Sequence, residues 1–302
     1  MDVTKKAENF KKPIGLEIYE TVSIFVKKNK NILINNNNIV VYLLNRLGGF
    51  GSALLMHIQN SLFLKYINKN ITIIPHFSEN SDLFKYHEET CVNSFFLYFK
   101  NKKILDITNK YIYFVRAVEI NEIPFYTYCM PITNNINNNY FIKYFNNNYE
   151  LNIGDNIKEY ISKIRILNIP LIGIHIRSLY QKKLEYNQYT IISLEQRIQK
   201  LSIILNKTYS NYVLFLATDV IEYIDLSKKY FKNVYFLDFI NRIPNGETDS
   251  VPLLDKYKGF KLGSDILYDC LGLSLCDKIY LSGSNIPFIV SILNPNINMD
   301  EY

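Results

Sequence analysis

The chain has 302 residues, 48% of them hydrophobic and 21% charged, with a net charge of +6. That apolar content excludes a disordered chain, and the length suits two domains of about 150 residues each, expected at 1–165 and 166–302. The cationic excess is dispersed, which suits anionic substrates and lacks the basic stripe of a nucleic-acid binder. No apolar run approaches the roughly 20 residues that span a bilayer, and the opening MDVTKKAENFKKP has no signal-peptide core. A soluble, cytoplasmic protein without a membrane span is expected. The cysteines Cys91, Cys129, Cys270 and Cys276 show no C-x-x-C spacing, so neither a zinc site nor a disulfide framework is expected.

Taken in order, Ile14–Lys28 carries a helical pattern, and Ile39–Leu44 (IVVYLL) is a continuous apolar strand. Gly48-Gly49-Phe50-Gly51 forms a turn after it, followed by a helix over Ala53–Ile67 and a strand over Ile71–Ile74. Strand, glycine turn and helix make the first half of a Rossmann-type unit. Asn93–Phe99 and Ile112–Val115 read as strands, and the Asn clusters 35–38, 134–139 and 146–148 read as loops. Gly154–Ile169 is a helix leading into a clearer second half.

There Leu171–Ile176 (LIGIHI) is a buried strand ending at Arg177. A helix over Leu194–Lys207, a strand over Tyr212–Ala217, a helix over Ile221–Tyr230 and a strand over Val234–Leu237 follow. After a loop over 239–262, an amphipathic helix carrying Ile266, Leu267, Cys270, Leu271 and Leu273 runs to Asp277-Lys278. Ile279–Leu281 is a short strand, and Ser282-Gly283-Ser284-Asn285 precedes a helix that begins near Pro287. Strands alternating with helices predict parallel sheets. Ligands of such sheets sit at the carboxyl ends of strands, where His175, Arg177, Thr218, Asp219, Ser282 and Ser284 all fall.

Several residue types there suit a nucleotide diphosphate. Arg177 offers a fixed fork of donors that matches phosphate, or it is a structural ion-pair residue. Ser282–Asn285 before a helix offers free backbone N–H groups to an anion. Asp265 and Asp269, four apart on one helix, are either acceptors for a base or sugar or ordinary helix charges. Asp219 is a ligand contact or a helix cap, and His175 is most simply a buried core histidine. Glu247, Asp249 and Asp255 lie in the long loop. There is no G-x-G-x-x-G, no P-loop and no D-x-D, which disfavours a dinucleotide or a metal-dependent nucleotide-sugar site.

Three ordered motifs carry a family resemblance. Gly173-Ile174-His175-Ile176-Arg177 resembles the G-x-H-x-R strand of the fucosyltransferase superfamily that includes α1,6-, nodulation and protein O-fucosyltransferases. Phe215-Leu216-Ala217-Thr218-Asp219 is similar to its F/Y-L-A-T-D strand. Asp269–Asp277 with Ser282–Asn285 resembles its D-x-x-x-L-S-x-x-D helix and serine-rich turn. The glycine turn at 48–51 is similar to the turn opening the family's N-terminal domain.

The resemblance implies an α/β GT-B fold, two Rossmann-like domains whose parallel sheets face a cleft, and inverting transfer of fucose from GDP-fucose to a glycan hydroxyl. It implies no metal and no further cofactor. Arg177 would bind the β-phosphate and stabilise departing GDP, while His175 and Asp269 would contact guanine. Asp219 would lie near the nucleoside, and Ser282, Gly283, Ser284 and Asn285 would hold the diphosphate. Gly49 and Gly51 would line the cleft, with the N-terminal domain on the acceptor side. The family commonly continues H-x-R-R-x-D, whereas Ser178-Leu179-Tyr180 follow Arg177 here. That departure leaves two alternatives: a GDP- or glycan-binding protein without turnover, and a transferase of another nucleotide sugar.

Overall fold

The computed structural model describes residues 21–44, 50–76, 95–102, 111–116, 136–177, 194–242, 260–281 and 285–301. The chain forms two compact units. Met1–Tyr128, Asn134–Ile153 and Lys258–Gly263 make the first; Cys129–Thr133, Gly154–Tyr257 and Ser264–Tyr302 make the second. Both are built on parallel sheets, as the alternation of strand and helix patterns predicts.

In the first unit, α1 (Val22–Asn35) leads to β1 (Ile39–Leu44), all six of whose residues are buried. Such an unbroken run of branched and aromatic residues suits a central parallel strand covered on both faces. β1 lies between β2 (Thr72–His76) and β4 (Tyr111–Arg116), parallel to both. The strand expected to stop at Ile74 continues through Pro75 and His76. Pro75 has no N–H to donate, and among the described residues β2 pairs with β1 alone, an edge position where proline is tolerated. α2 (Phe50–Ile67) follows β1 and is apolar around most of its circumference, as expected of a helix packed on several sides.

The clearest departure from the sequence reading is α4 (Ile136–Asn148), a helix across the asparagine clusters expected to be loops. Asparagine is a poor helix former, yet Phe141 and Phe145, one turn apart, are both buried. They join an aromatic core with α3 (Phe95–Tyr98), β3 (Phe99–Asn101) and β5 (Tyr149–Leu151). Ring centroids lie 5.0 Å apart for Phe95–Phe99, 5.1 Å for Phe99–Phe145 and 5.2 Å for Phe95–Tyr149. Each such pair adds about 0.5–1.5 kcal/mol beyond its burial, enough to override local propensity. Of the strand expected over Asn93–Phe99, Phe95–Tyr98 is instead a helical turn, and pairing starts at Phe99, antiparallel to β5.

His57 of α2 is enclosed in this core. Its Nε2 lies 3.3 Å from the Tyr149 hydroxyl and 3.5 Å from Ser61 Oγ, and burial pulls its pKa down to about 3. The folded chain therefore keeps the ring neutral while the unfolded chain protonates it below its ordinary value of 6.5. Stability from this residue is present above that value and is lost as the pH falls toward the folded value. Urea unfolding at pH 7 and 4.5 should show a loss of about 3 kcal/mol attributable to His57. A His57→Gln variant, less stable than wild type at pH 7, should lose less on acidification. Equal acid losses in the two proteins would mean that His57 does not set the acid sensitivity.

The second unit holds a five-stranded sheet in the order β10-β9-β6-β7-β8, every neighbouring pair parallel. Its strands are β6 (Leu171–Ile176), β7 (Val213–Thr218), β8 (Val234–Tyr235), β9 (Lys278–Leu281) and β10 (Asn298–Glu301). Its helices are α5 (Asp155–Ile164), α6 (Leu194–Thr208), α7 (Glu222–Tyr230), α8 (Phe260–Ser274, from Ser264 onward) and α9 (Ile286–Leu293). β8 is half as long as the strand expected over Val234–Leu237, and β10 was not visible in the sequence.

Two glycines leave room for α8 to pack closely on the sheet and for the Ile279 side chain of β9 beside β6. A Cβ at Gly272 would collide with the Phe215 ring, and one at Gly173 would lie 2.7 Å from Ile279 Cγ2. α8 stops at Ser274, short of the Asp277-Lys278 end expected for it. Asp277 instead ties the start of β6: its Oδ2 accepts from Leu171 N at 2.8 Å and its Oδ1 from Arg165 Nη1 at 2.7 Å. The last carboxylate of the D-x-x-x-L-S-x-x-D motif thus anchors the amino end of β6, opposite its carboxyl end.

Candidate functional site

Residues from three elements meet at the carboxyl ends of β6 and β7. His175 is paired in register with Ala217 on β7 and Leu281 on β9, and is 8% exposed. Arg177 stands one residue beyond the end of β6 and is half-buried. Thr218 closes β7, buried, with its Oγ1 accepting from Val220 N at 3.3 Å. Asp219 follows it, partly exposed.

α8 supplies two carboxylates one turn apart. Asp265 is 4% exposed, and its Oδ2 accepts from Asn241 N at 3.2 Å and Asn241 Nδ2 at 2.9 Å. The Thr218 backbone favours the charged form of Asp269, whose side chain is 14% exposed although Oδ1 is buried. Burial pushes its pKa up to about 7, the Arg242 charge opposes that, and the carboxylates of Asp265 and Asp219 reinforce it. A buried carboxyl perturbed by desolvation and by neighbouring charges at strand ends is a candidate functional group.

Arg242 had no signal in the sequence. It lies in the irregular segment after β8, where a single arginine has neither strand nor helix spacing to distinguish it. Its Nε donates to Thr218 O at 3.2 Å, and its Nη1 to Leu237 O at 2.7 Å and Ile240 O at 3.2 Å. Asn241, equally silent in the sequence, holds Asp265. Together the two residues join the end of β7 to the middle of α8.

Of the other expected site residues, Asn285 is placed immediately before α9, with Pro287 in the helix's first turn as expected. Gly51 lies within the first turn of α2, in the first unit, so it belongs to a helix where the sequence pattern suggested a loop. Gly49, Ser282, Gly283 and Ser284 fall outside the described residues, as do Glu247, Asp249 and Asp255. Cys270 is buried and burial drives its thiol well above the usual range, which makes it the core residue its helix position suggested. Among the described residues no group of three or more His, Cys, Asp or Glu is placed to hold a metal ion. No helix among them is long and apolar enough to cross a membrane.

No protein-family model matches the sequence, and no curated protein matches it. The fold is similar to solved structures of NodZ, a fucosyltransferase from Bradyrhizobium. NodZ alpha-1,6-fucosyltransferase co-crystallised with GDP shares 13% identity over 88% of this chain and 96% of its own, with a TM-score of 0.49. NodZ soaked with GDP-fucose shares 15% identity over 85% of this chain and 93% of its own, with a TM-score of 0.46. At so low an identity, the side chains of this site stand on their own geometry.

Proposed function

We propose that the chain is an inverting, metal-independent GT-B glycosyltransferase that moves fucose from GDP-fucose to a glycan hydroxyl. The observation that carries this reading is the meeting of His175, Thr218, Asp219 and Asp269 at the carboxyl ends of β6 and β7. They come from the three motifs of the sequence and meet where parallel α/β sheets bind ligands. Guanine presents adjacent N–H donors along one edge, and a buried carboxylate accepts such a pair at close range. Asp269 has that role, with His175 beside the base and Asp219 near the nucleoside. Arg177, just past β6, takes the β-phosphate, and the Ser282–Asn285 segment before α9 offers N–H groups to the diphosphate.

In the reaction, an acceptor oxygen attacks the anomeric carbon on the face opposite GDP. The carbon–oxygen bond to the β-phosphate breaks, and GDP departs with the electron pair. Arg177 and the backbone donors stabilise the charge that develops there. The proton from the acceptor goes to a carboxylate of the long loop, Glu247 or Asp249, or to the phosphate itself. A binding protein without turnover is the second reading, favoured by Ser178-Leu179-Tyr180 where the family commonly carries an arginine and an aspartate.

Calorimetric titration with GDP, UDP and GDP-fucose in EDTA tests the donor site. GDP and GDP-fucose should bind with micromolar affinity and UDP at least tenfold more weakly, because uracil has no pair of adjacent donors to offer Asp269. Equal binding of GDP and UDP, or none of either, would overturn the donor assignment.

A further inference from the structure

We propose that Arg242 is a positioning residue for the nucleotide: its guanidinium, fastened to three carbonyl oxygens, holds Asp269 ready as an ionised acceptor. This rests on Asp269 being the carboxylate that meets the base, and it adds a residue that none of the sequence motifs contains.

The geometry is specific. The Arg242 side chain is 4% exposed, and its Nε and Nη1 are committed to Thr218 O, Leu237 O and Ile240 O. The Phe236 ring lies 5.4 Å from Arg242 Cζ and further restricts the guanidinium plane. That leaves Nη2, which lies 4.0 Å from Asp269 Oδ1. Both atoms are buried, and neither has a hydrogen-bond partner among the described residues. The separation exceeds a hydrogen bond but leaves a strong attraction in a site shielded from water.

A guanidinium used only to cap a turn would spend its remaining donor on water or on another carbonyl. Here the remaining donor faces a carboxylate, and the carbonyls prevent the guanidinium from closing the gap. Asp269 is thereby biased toward its charged form without being consumed by an ion pair, and its oxygens stay available to a ligand.

The charges around Asp269 make Arg242 the decisive one. Asp265 from the same helix and Asp219 from the end of β7 both disfavour its ionisation, the Cys270 thiol is neutral, and Arg242 is the cation opposing burial. Removing that cation should leave Asp269 protonated at neutral pH, when it can no longer accept two donors from the base.

The test compares Arg242→Gln, which keeps amide donors for the carbonyls but no charge, with Arg242→Lys, which keeps the charge but loses the fork. The Asp269 carboxyl is followed by carbon-13 NMR in the ligand-free protein, and GDP affinity is measured from pH 6 to 9. Arg242→Gln should raise the Asp269 midpoint by about one pH unit or more and weaken GDP about tenfold at pH 7, with affinity recovering toward pH 9. Arg242→Lys should move the midpoint by less than about half a unit. A purely structural role predicts a loss of GDP affinity that is the same at every pH in both variants, and that result overturns the proposal. So does a raised midpoint with unchanged GDP affinity. Should Arg242→Gln not fold, Arg242→Lys decides: wild-type pH dependence supports the proposal, and a pH-independent tenfold loss overturns it. Wild-type protein that shows the Asp269 titration but binds no GDP would overturn the donor reading instead, so the two failures are distinguishable.

Discussion

Asp269→Asn should make the protein more stable at pH 8 while abolishing its affinity for GDP. The carboxyl has a folded-state pKa of about 7 against an ordinary value of 3.8. For an acid shifted upward, stability is fully present below the unfolded value and is lost as the pH rises through the folded one. Above pH 7 the folded chain therefore carries a buried charge that the unfolded chain holds in water. The cost is roughly 2–4 kcal/mol. Asparagine has the same shape and no charge, so the variant avoids that cost. The attraction of Arg242 is already contained in that folded value, which burial alone would push higher.

The pH dependence separates this effect from ordinary repacking. Near pH 4 the carboxyl is neutral in the folded chain and only partly ionised in the unfolded one, so the two proteins should unfold at nearly the same urea concentration. The difference should open between pH 4 and 7 and level off above it. Comparing variant with wild type cancels the opposite contribution of His57, which titrates in both. A variant less stable than wild type at pH 8 would mean that Arg242 and the Thr218 backbone more than compensate the buried charge. Stability gained at the expense of binding would mark Asp269 as a residue kept for its ligand.

The sequence reading reached the parts of the fold in which local pattern and tertiary environment agree. β1 and β6 are continuous apolar runs buried on both faces, and their limits coincide with the runs themselves. Leu194–Thr208 shows the same agreement for a helix, because Ile198, Leu201 and Leu205 recur on one buried face. α4 failed for the opposite reason: its asparagines favour loops, and only the packing of Phe141 and Phe145 against distant aromatics makes it a helix. β10 is a short polar edge strand, Asn298–Glu301, with no alternation to reveal it. The candidate site divides in the same way. His175, Thr218 and Asp219 are legible because strand ends are legible, whereas Arg242 and Asn241 acquire their meaning only from partners on β7 and α8. Spacing along the chain cannot reveal a contact made across it.

Arg177→Ala should be the most damaging substitution for turnover. In the proposed reaction Arg177 is the cation beside the departing β-phosphate and acts on charge that grows as the sugar–phosphate bond breaks. Its effect on the rate should therefore exceed its effect on binding. Loss of a charged phosphate contact weakens binding by about 2–5 kcal/mol, and single donors to a developing anion contribute about a hundred- to a thousandfold in rate. GDP release from GDP-fucose, with water or a glycan as acceptor, reads the second effect whatever the natural acceptor is. The expected result is a fall of about a thousandfold in that release, with Arg177→Lys retaining the charge but not the two-pronged contact and lying in between. If wild type binds GDP-fucose and leaves it intact with every acceptor tried, Arg177→Ala will change affinity alone. That outcome favours the binding-protein reading, and the place to look for its cause is the Ser178-Leu179-Tyr180 segment that follows Arg177.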